Sequence, residues 1–198
     1  MNDDADDLFV LGRGPIRDLS DPATVTASEV VYDGRVWDVR RDSFVFADHS
    51  LTREYVDHPG AAAVLAIDAE DRVLLINQYR HPVGLRDWEL PAGLLDVEGE
   101  PPIDAARREL AEEADLAAEH WSELVTFHTS PGGSNETLHV FEARGLTPTH
   151  APYPRTEEES EIVTRWVPLA EAVDAVLEGR LSNSILIIAV LAAHATRR

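Results

Sequence analysis

One segment limits the possible folds of this chain more than any other: residues 93–116, G-L-L-D-V-E-G-E-P-P-I-D-A-A-R-R-E-L-A-E-E-A-D-L. Its second half predicts a helix over 102–117, with a proline at the start, where the missing N–H is harmless. At 3.6 residues per turn, one face of this helix carries an apolar stripe of Ile103, Ala106, Leu110, Ala114 and Ala117. Because such a stripe must face a core, the segment predicts a helix that packs against other elements.

The same helix carries three carboxylates at the edge of the stripe. Glu109 and Glu113 are four residues apart and lie one above the other, and Glu112 is three residues beyond Glu109. Carboxylates this close repel one another unless a cation compensates them, and oxygen ligands on a rigid helix suit Mg²⁺ or Mn²⁺. Arg108 is placed to pair with Glu112 across one turn. A charged run is also typical of a solvated helix face, so the pattern alone leaves both interpretations open.

The rest of the chain interleaves strands with a few helices. Strands are predicted at 61–67, 73–79, 124–129, 138–143 and 162–167. A short helix is predicted at 169–177, and a buried one at 184–195 with Ser182 as its N-cap. This order predicts a mixed α/β (α+β) fold without internal repeats.

Residues 25–57 have a β-type pattern of their own. The Asp33–Gly34 dipeptide predicts a tight hairpin turn, and a second turn is predicted at 48–50. So few strands cannot bury a good core alone, so we expect them to pack on the next domain or at a subunit interface. The predicted division is an N-terminal β region at 1–57, whose first residues are disordered, and a second domain at 58–198.

Composition excludes several kinds of chemistry. The 198 residues include no cysteine and no lysine, which excludes a thiol nucleophile, a Cys-ligated metal and a lysine-bearing phosphate loop. With 37 acidic and 17 basic residues, the formal net charge of −20 opposes nucleic-acid binding. The longest apolar run, 185–193, is about half of the roughly 20 residues that span a bilayer. Since the N-terminus also lacks a signal-peptide pattern, we expect a cytoplasmic protein with no membrane or nucleic-acid partner.

Residues 93–116 resemble the Nudix box, G-x5-E-x7-R-E-U-x-E-E-x-G-U, where U is aliphatic. Glu100 is followed by seven residues and then by R-E-L-A-E-E-A-D-L at 108–116. The loop from Gly93 to Glu100 is one residue longer than in the pattern, which costs little. Asp115 replaces a glycine, and a left-handed position suits Asp less well than Gly. The resemblance implies a Nudix-type mixed-sheet α/β/α sandwich over roughly 58–180.

Shorter motifs resemble the ADP-ribose pyrophosphatase branch of that family. They are T-R-E at 52–54, H-P-G-A at 58–61, Q-Y-R at 78–80, W-E-L-P-A-G at 88–93 and S-P-G-G-S-N-E at 130–136. In this branch an N-terminal β region mediates a swapped dimer, which implies a homodimer here. The resemblance implies four metal ligands, the Ala92 carbonyl, Glu109, Glu112 and Glu113. The substrate contacts that it implies are Arg53, Glu54, Arg80, Glu89 and Glu136.

Hydrolysis of a diphosphate also needs a carboxylate that orients or deprotonates the attacking water. In relatives of the branch this glutamate lies on a mobile loop late in the domain, and residues 152–162 hold Glu157, Glu158, Glu159 and Glu161. Spacing from the box favours Glu158 and then Glu159, and Glu112 is a third catalytic candidate. Taken alone, such an acidic run is more often a solvated loop.

The function that this resemblance implies is Mg²⁺-dependent hydrolysis of ADP-ribose to AMP and ribose 5-phosphate, with Mn²⁺ as an alternative metal. One alternative is hydrolysis of another nucleoside diphosphate derivative, such as a nucleotide sugar or a dinucleotide. A second is a non-catalytic sensor of ADP-ribose-like ligands. Intact Glu109, Glu112 and Glu113 argue against the sensor, which has no need for an acidic metal cluster.

Overall fold

The computed structural model describes residues 16–150, 153 and 161–197. The elements of this part of the chain are β1 (Thr24–Tyr32), β2 (Asp38–Phe46), β3 (His49–Asp57), β4 (Ala61–Ala66), β5 (Arg72–Arg80), β6 (Leu85–Glu89), β7 (Ala92–Leu94), α1 (Pro102–Ala114), β8 (Leu116–His128), β9 (Thr137–Pro148), β10 (Val163–Pro168), α2 (Leu169–Leu177) and α3 (Ser184–Thr196). The strand orders of the sheets are β1-β2-β3, β10-β5-β6 and β7-β4-β9-β8. β4 and β9 are parallel whereas their other neighbours are antiparallel, so the central sheet is mixed.

The core lies on both faces of β4, whose sequence A-A-A-V-L-A is buried throughout. Because side chains alternate along a strand, Ala63 and Leu65 pack with α2 and α3, while Ala62 and Val64 pack with α1. A strand covered on both faces is expected to be continuously apolar rather than alternating, as it is here. Helices cover both faces of the sheet, which confirms the predicted mixed α/β sandwich.

Helix α1 ends three residues earlier than predicted. Asp115 follows it in the left-handed conformation, with φ of 55°, and donates its N–H to the carbonyl of Ala111. This closing turn redirects the chain into β8, where Ala117 is exposed. Ala117 is therefore not part of the apolar stripe, and that prediction was wrong. The left-handed position expected at Asp115 is confirmed.

The first hairpin is wider than predicted. β1 ends at Tyr32 and β2 begins at Asp38, so the connection is the five-residue loop 33–37 rather than a two-residue turn at 33–34. Gly34 does not adopt the positive φ that such a tight turn requires. Its N–H instead donates to the Asp38 carboxylate at 3.1 Å, which favours the longer loop.

The second hairpin turns one residue earlier than predicted. Phe46 pairs with His49, so the turn consists of Ala47 and Asp48, with φ of 46° and 65°. Two consecutive positive φ values are those of a type I′ turn, whose twist matches that of the strands it joins. The prediction placed the turn at 48–50 because neither Ala47 nor Asp48 is a glycine, the residue that most often marks a type I′ turn.

The last helix confirms the predicted element but not its cap. Asn183, rather than Ser182, precedes α3, and its side-chain oxygen accepts the N–H of Leu186 at 3.1 Å. An N-cap side chain must lie immediately before the first helical residue, and Ser182 lies one residue too early. None of the helices in the described ranges is long and apolar enough to cross a membrane.

Candidate active site

The box carboxylates of α1 lie beside strand β7. Glu109 and Glu113 are only 8% and 5% exposed, whereas the side chain of Glu112 is 39% exposed. Glu113 Oε2 accepts the N–H of Ala92 at 2.9 Å, which joins the last turn of α1 to the start of β7. The four metal ligands implied by the sequence therefore lie on two neighbouring elements, α1 and β7.

Arg108 connects three carboxylates of this region. Its guanidinium lies 3.1 Å from Glu100, 3.4 Å from Glu112 and in close contact with Glu109. The predicted pair with Glu112 is confirmed. The hydrogen bond to Glu100 is the largest cause of the raised pKa of Arg108, followed among the charges by Glu109. The sequence interpretation left Glu100 out of the site, although its fixed offset from Arg108 was the available signal.

Gly93 provides the space that the Glu109 carboxylate occupies. A β-carbon at Gly93 would overlap with the carboxylate group of Glu109. The φ of Gly93 lies outside the left-handed region, so the requirement here is for space rather than for backbone freedom. The position of the Glu109 carboxylate therefore depends on the absence of a side chain at Gly93.

The donor chemistry of the α1 carboxylates fits a hard divalent cation, because carboxylate and carbonyl oxygens are its preferred ligands. No three His, Cys, Asp or Glu side chains among the described residues already converge as a metal site. Glu109 contacts Arg108, and Glu113 contacts the Ala92 N–H. Donors of the protein therefore already hold one oxygen of each of these two carboxylates.

Arg80 and Glu89 form a two-bond pair between β5 and β6. The Arg80 Nε and Nη2 atoms donate to the two Glu89 oxygens, each at 2.7 Å. Glu89 is 3% exposed and also accepts from Gln78 at 3.4 Å. The hydrogen bond to Glu89 raises the pKa of Arg80, and the charge of Glu113 raises it further. Arg80 is therefore a fixed cation within electrostatic reach of the α1 carboxylates.

Arg53 and Glu54 lie elsewhere, on β3. Arg53 donates to the carbonyl of Thr52 at 2.8 Å, and Glu54 pairs with Arg41 at 2.9 Å. Both residues line a groove between the N-terminal sheet and loop 131–135. The other residues that line it are Asp42, Phe44 and Tyr55.

Loop 131–135 is held against β3 by backbone hydrogen bonds. The Val56 N–H donates to Gly133 at 2.9 Å, and the Asn135 N–H donates to Val56 at 3.3 Å. Glu136, which follows this loop, accepts a hydrogen bond from Thr129, and its other oxygen lies 3.5 Å from Nε2 of His58. Glu136 therefore lies next to loop 131–135. The sequence interpretation did not consider its contact with His58.

The NUDIX domain model matches residues 57–186 of this chain. This range includes the box, Arg80, Glu89 and Glu136. The chain belongs to the Nudix family.

This Nudix hydrolase is similar to several characterised proteins. It is 45% identical over 170 residues to an ADP-ribose pyrophosphatase of Mycobacterium tuberculosis, covering 85% of this chain and 82% of that protein. It is 35% identical over 164 residues to the methanol dehydrogenase activator of Bacillus methanolicus, covering 82% and 88%. An ADP compounds hydrolase of known crystal structure superposes with a TM-score of 0.73 at 20% identity, covering 90% of this chain and 96% of the other. That last similarity concerns the fold.

The two loop candidates of this Nudix hydrolase, Glu158 and Glu159, lie outside the described residues. Glu161, at the end of the same acidic segment, is exposed and lies 3.7 Å from Arg86 of β6. Among the described residues the Nudix domain therefore brings together two buried carboxylates, a half-exposed one and two arginines. Such a site attracts a divalent cation and a polyphosphate together.

Proposed function

We propose that this protein hydrolyses the diphosphate bond of ADP-ribose, using a divalent cation, to give AMP and ribose 5-phosphate. The observation that carries this proposal is its 45% identity, over 85% of the chain, to a protein named ADP-ribose pyrophosphatase. The burial of Glu109 and Glu113 beside Ala92 supports it, since two neighbouring buried carboxylates are oxygen ligands of the kind that a hard divalent cation prefers.

Glu109, Glu113 and the Ala92 carbonyl are the proposed ligands, and Glu112 is an additional one. We propose Mg²⁺ as the ion, with Mn²⁺ as an alternative, because an all-oxygen donor set suits both. When bound, the cation neutralises charge on the diphosphate oxygens and activates water. Arg108 pairs with Glu100 and Glu109 and thereby lowers the free-energy cost of keeping these carboxylates ionised.

Arg80 and the groove are the proposed binding elements for the substrate. Glu89 holds the Arg80 guanidinium through two bonds, so this arginine can meet a phosphate with little loss of side-chain freedom. Arg53, Glu54 and Glu136 line or adjoin the groove, which also presents the aromatic side chains of Phe44 and Tyr55. We therefore place the nucleoside or ribose end of the substrate there.

In the proposed reaction, a water oxygen attacks one phosphorus while the bond from that phosphorus to the bridging oxygen breaks. The bridging oxygen leaves with the other phosphate, and the water proton passes to a glutamate of the segment 152–162. We propose Glu158 as this base, then Glu159, with Glu112 as the candidate on α1.

Single Gln replacements of Glu157, Glu158 and Glu159 test the loop base. We expect one variant, Glu158→Gln, to lose roughly 10²- to 10⁴-fold in kcat, because a general base contributes about that much. The measurement is kcat for each purified variant at saturating Mg²⁺. Small and equal effects on all three would eliminate a base in this loop.

We also propose the division into 1–57 and 58–198 and a homodimer formed through the N-terminal sheet. Every residue of β1 is exposed in the single chain, including Val30, Val31 and Tyr32, and Val45 and Phe46 are exposed at the other end of the same sheet. A sheet that exposes several large apolar side chains is typical of a protein–protein interface. Sedimentation equilibrium should give twice the chain mass of 21.9 kDa, and a monomer at micromolar concentration would contradict the dimer. The cytoplasmic location stays a prediction from the sequence.

Substrate choice needs a direct test, because the similar protein of Bacillus methanolicus carries a different name, methanol dehydrogenase activator. The purified protein is incubated with Mg²⁺ and ADP-ribose, ADP-glucose, GDP-mannose, NADH or dinucleoside polyphosphates, and mononucleotide release is quantified. We expect ADP-ribose to have the highest kcat/KM. Preference for another compound would favour the alternative substrate class, and binding without turnover of any compound would favour a sensor.

A further inference from the structure

His58 lies between β3 and β4, where the N-terminal sheet joins the Nudix domain. Its side chain is only 7% exposed, and its ring Nδ1 accepts the N–H of Gly60 at 3.0 Å. Because Nδ1 is an acceptor, the neutral imidazole carries its proton on Nε2. The backbone N–H of His58 donates to the side-chain oxygen of Asn135 at 2.7 Å, which anchors the residue to loop 131–135.

The protonated Nε2 faces the carboxylate of Glu136 at 3.5 Å. The other Glu136 oxygen accepts a hydrogen bond from the Thr129 hydroxyl. A carboxylate held by one donor can still rotate about its last bond, and a second polar hydrogen facing its other oxygen limits that rotation through electrostatic attraction. The plane of the His58 ring is itself fixed by Trp37, which stacks on it at 4.4 Å between ring centroids and 23° between planes.

We infer that His58 is a positioning residue, whose Nε2–H sets the orientation in which Glu136 meets the substrate. The inference rests on the proposed function, because it takes Glu136 as a substrate contact. The residue acts through Glu136 and does not touch the reacting atoms. Trp37 belongs to loop 33–37, so the orientation of Glu136 depends on the N-terminal sheet as well as on the Nudix domain.

Two substitutions separate this role from a purely structural one. The amide of Gln at position 58 places a donor near the former Nε2, so His58→Gln retains a donor for Glu136 and loses the acceptor for Gly60. The shorter His58→Asn retains an acceptor for the Gly60 N–H and loses the donor for Glu136. If His58 only supports the turn at Gly60, His58→Asn should have the KM closer to that of the wild type. If His58 positions Glu136, His58→Gln should have the closer KM.

The kinetic test uses the nucleoside diphosphate derivative that the wild-type protein hydrolyses best. We expect His58→Asn to raise KM about tenfold with little change in kcat, because the polar hydrogen that faces the Glu136 carboxylate is lost. His58→Gln should stay within about threefold of the wild-type KM. In a Glu136→Ala background, which removes the carboxylate, His58→Asn should add no further increase, since the two residues act through one interaction. His120→Gln, at an exposed position of β8, is the matched control.

A spectroscopic arm is independent of turnover. Long-range ¹H–¹⁵N spectra of the His58 imidazole should show the Nε2–H form, with a shift that changes in Glu136→Gln and not in Glu119→Gln. The Nδ1–H form, or an unchanged KM in His58→Asn, would overturn the inference while leaving the proposed function intact. Hydrolysis of a compound other than ADP-ribose would overturn the proposed substrate alone. Absence of turnover with every compound would overturn the proposed function and, with it, the inference on His58.

Discussion

Glu113→Gln should lower metal-dependent turnover about a thousandfold, which corresponds to about 4 kcal/mol of transition-state stabilisation. Glu113 is 5% exposed, and its carboxylate accepts the Ala92 N–H at 2.9 Å. Gln has almost the same shape, and its carbonyl oxygen can keep this hydrogen bond. The substitution therefore removes one negative charge from the proposed metal site while preserving the contact that joins α1 to β7.

The controls for this variant separate charge from stability. Glu119→Gln removes a charge at an exposed position of β8 and should leave kcat within twofold. Thermal unfolding should place the melting temperature of Glu113→Gln at or above that of the wild type, because a buried charged carboxylate is replaced by a neutral amide of the same shape. A Glu113→Gln protein with the wild-type rate would contradict the assignment of Glu113 as a ligand.

Gly93→Ala should lower kcat/KM about a hundredfold, because a displacement of about 1 Å in a catalytic group can have that effect. The added methyl group would overlap with the Glu109 carboxylate, which is the flexible end of its side chain and is therefore the group that moves. Since the φ of Gly93 is accessible to alanine, the backbone of β7 should stay unchanged. The effect is thus expected on activity far more than on folding.

A double substitution checks this cause. In a Glu109→Ala background the carboxylate is absent and the methyl group has room, so Gly93→Ala should no longer change the free energy of unfolding. In the wild-type background it should lower that free energy by about 1 kcal/mol, because Glu109 loses its contact with Arg108. Urea denaturation of the four proteins measures both differences. Equal effects of Gly93→Ala in the two backgrounds would mean that Glu109 is not the group displaced.

The parts of the site that sequence could predict are those within one turn or one motif. The pairing of Arg108 with Glu112, and the burial of Glu109 and Glu113 beside the stripe, follow from helical spacing. Box spacing also identified the left-handed position at Asp115. Periodicity located the strands of the buried sheet because they are apolar on both faces.

The remaining features depend on pairing between distant segments. Arg80 and Glu89 meet because β5 and β6 pair with the register that sets Ile76 opposite Glu89, and no local pattern fixes that register. His58 and Glu136 are 78 positions apart and are joined by the bridge between Val56 and Ser134. The first hairpin was predicted too short because the Asp38 side chain, and not a backbone pair, caps its loop.

The most direct test of the account follows the ³¹P NMR spectrum of ADP-ribose mixed with the wild-type protein and Mg²⁺. We predict that the two diphosphate resonances are replaced by two phosphomonoester resonances, those of AMP and ribose 5-phosphate, and that EDTA stops the conversion. An unchanged diphosphate spectrum under conditions where ADP-ribose binds, or the same conversion in the presence of EDTA, would contradict a metal-dependent ADP-ribose pyrophosphatase.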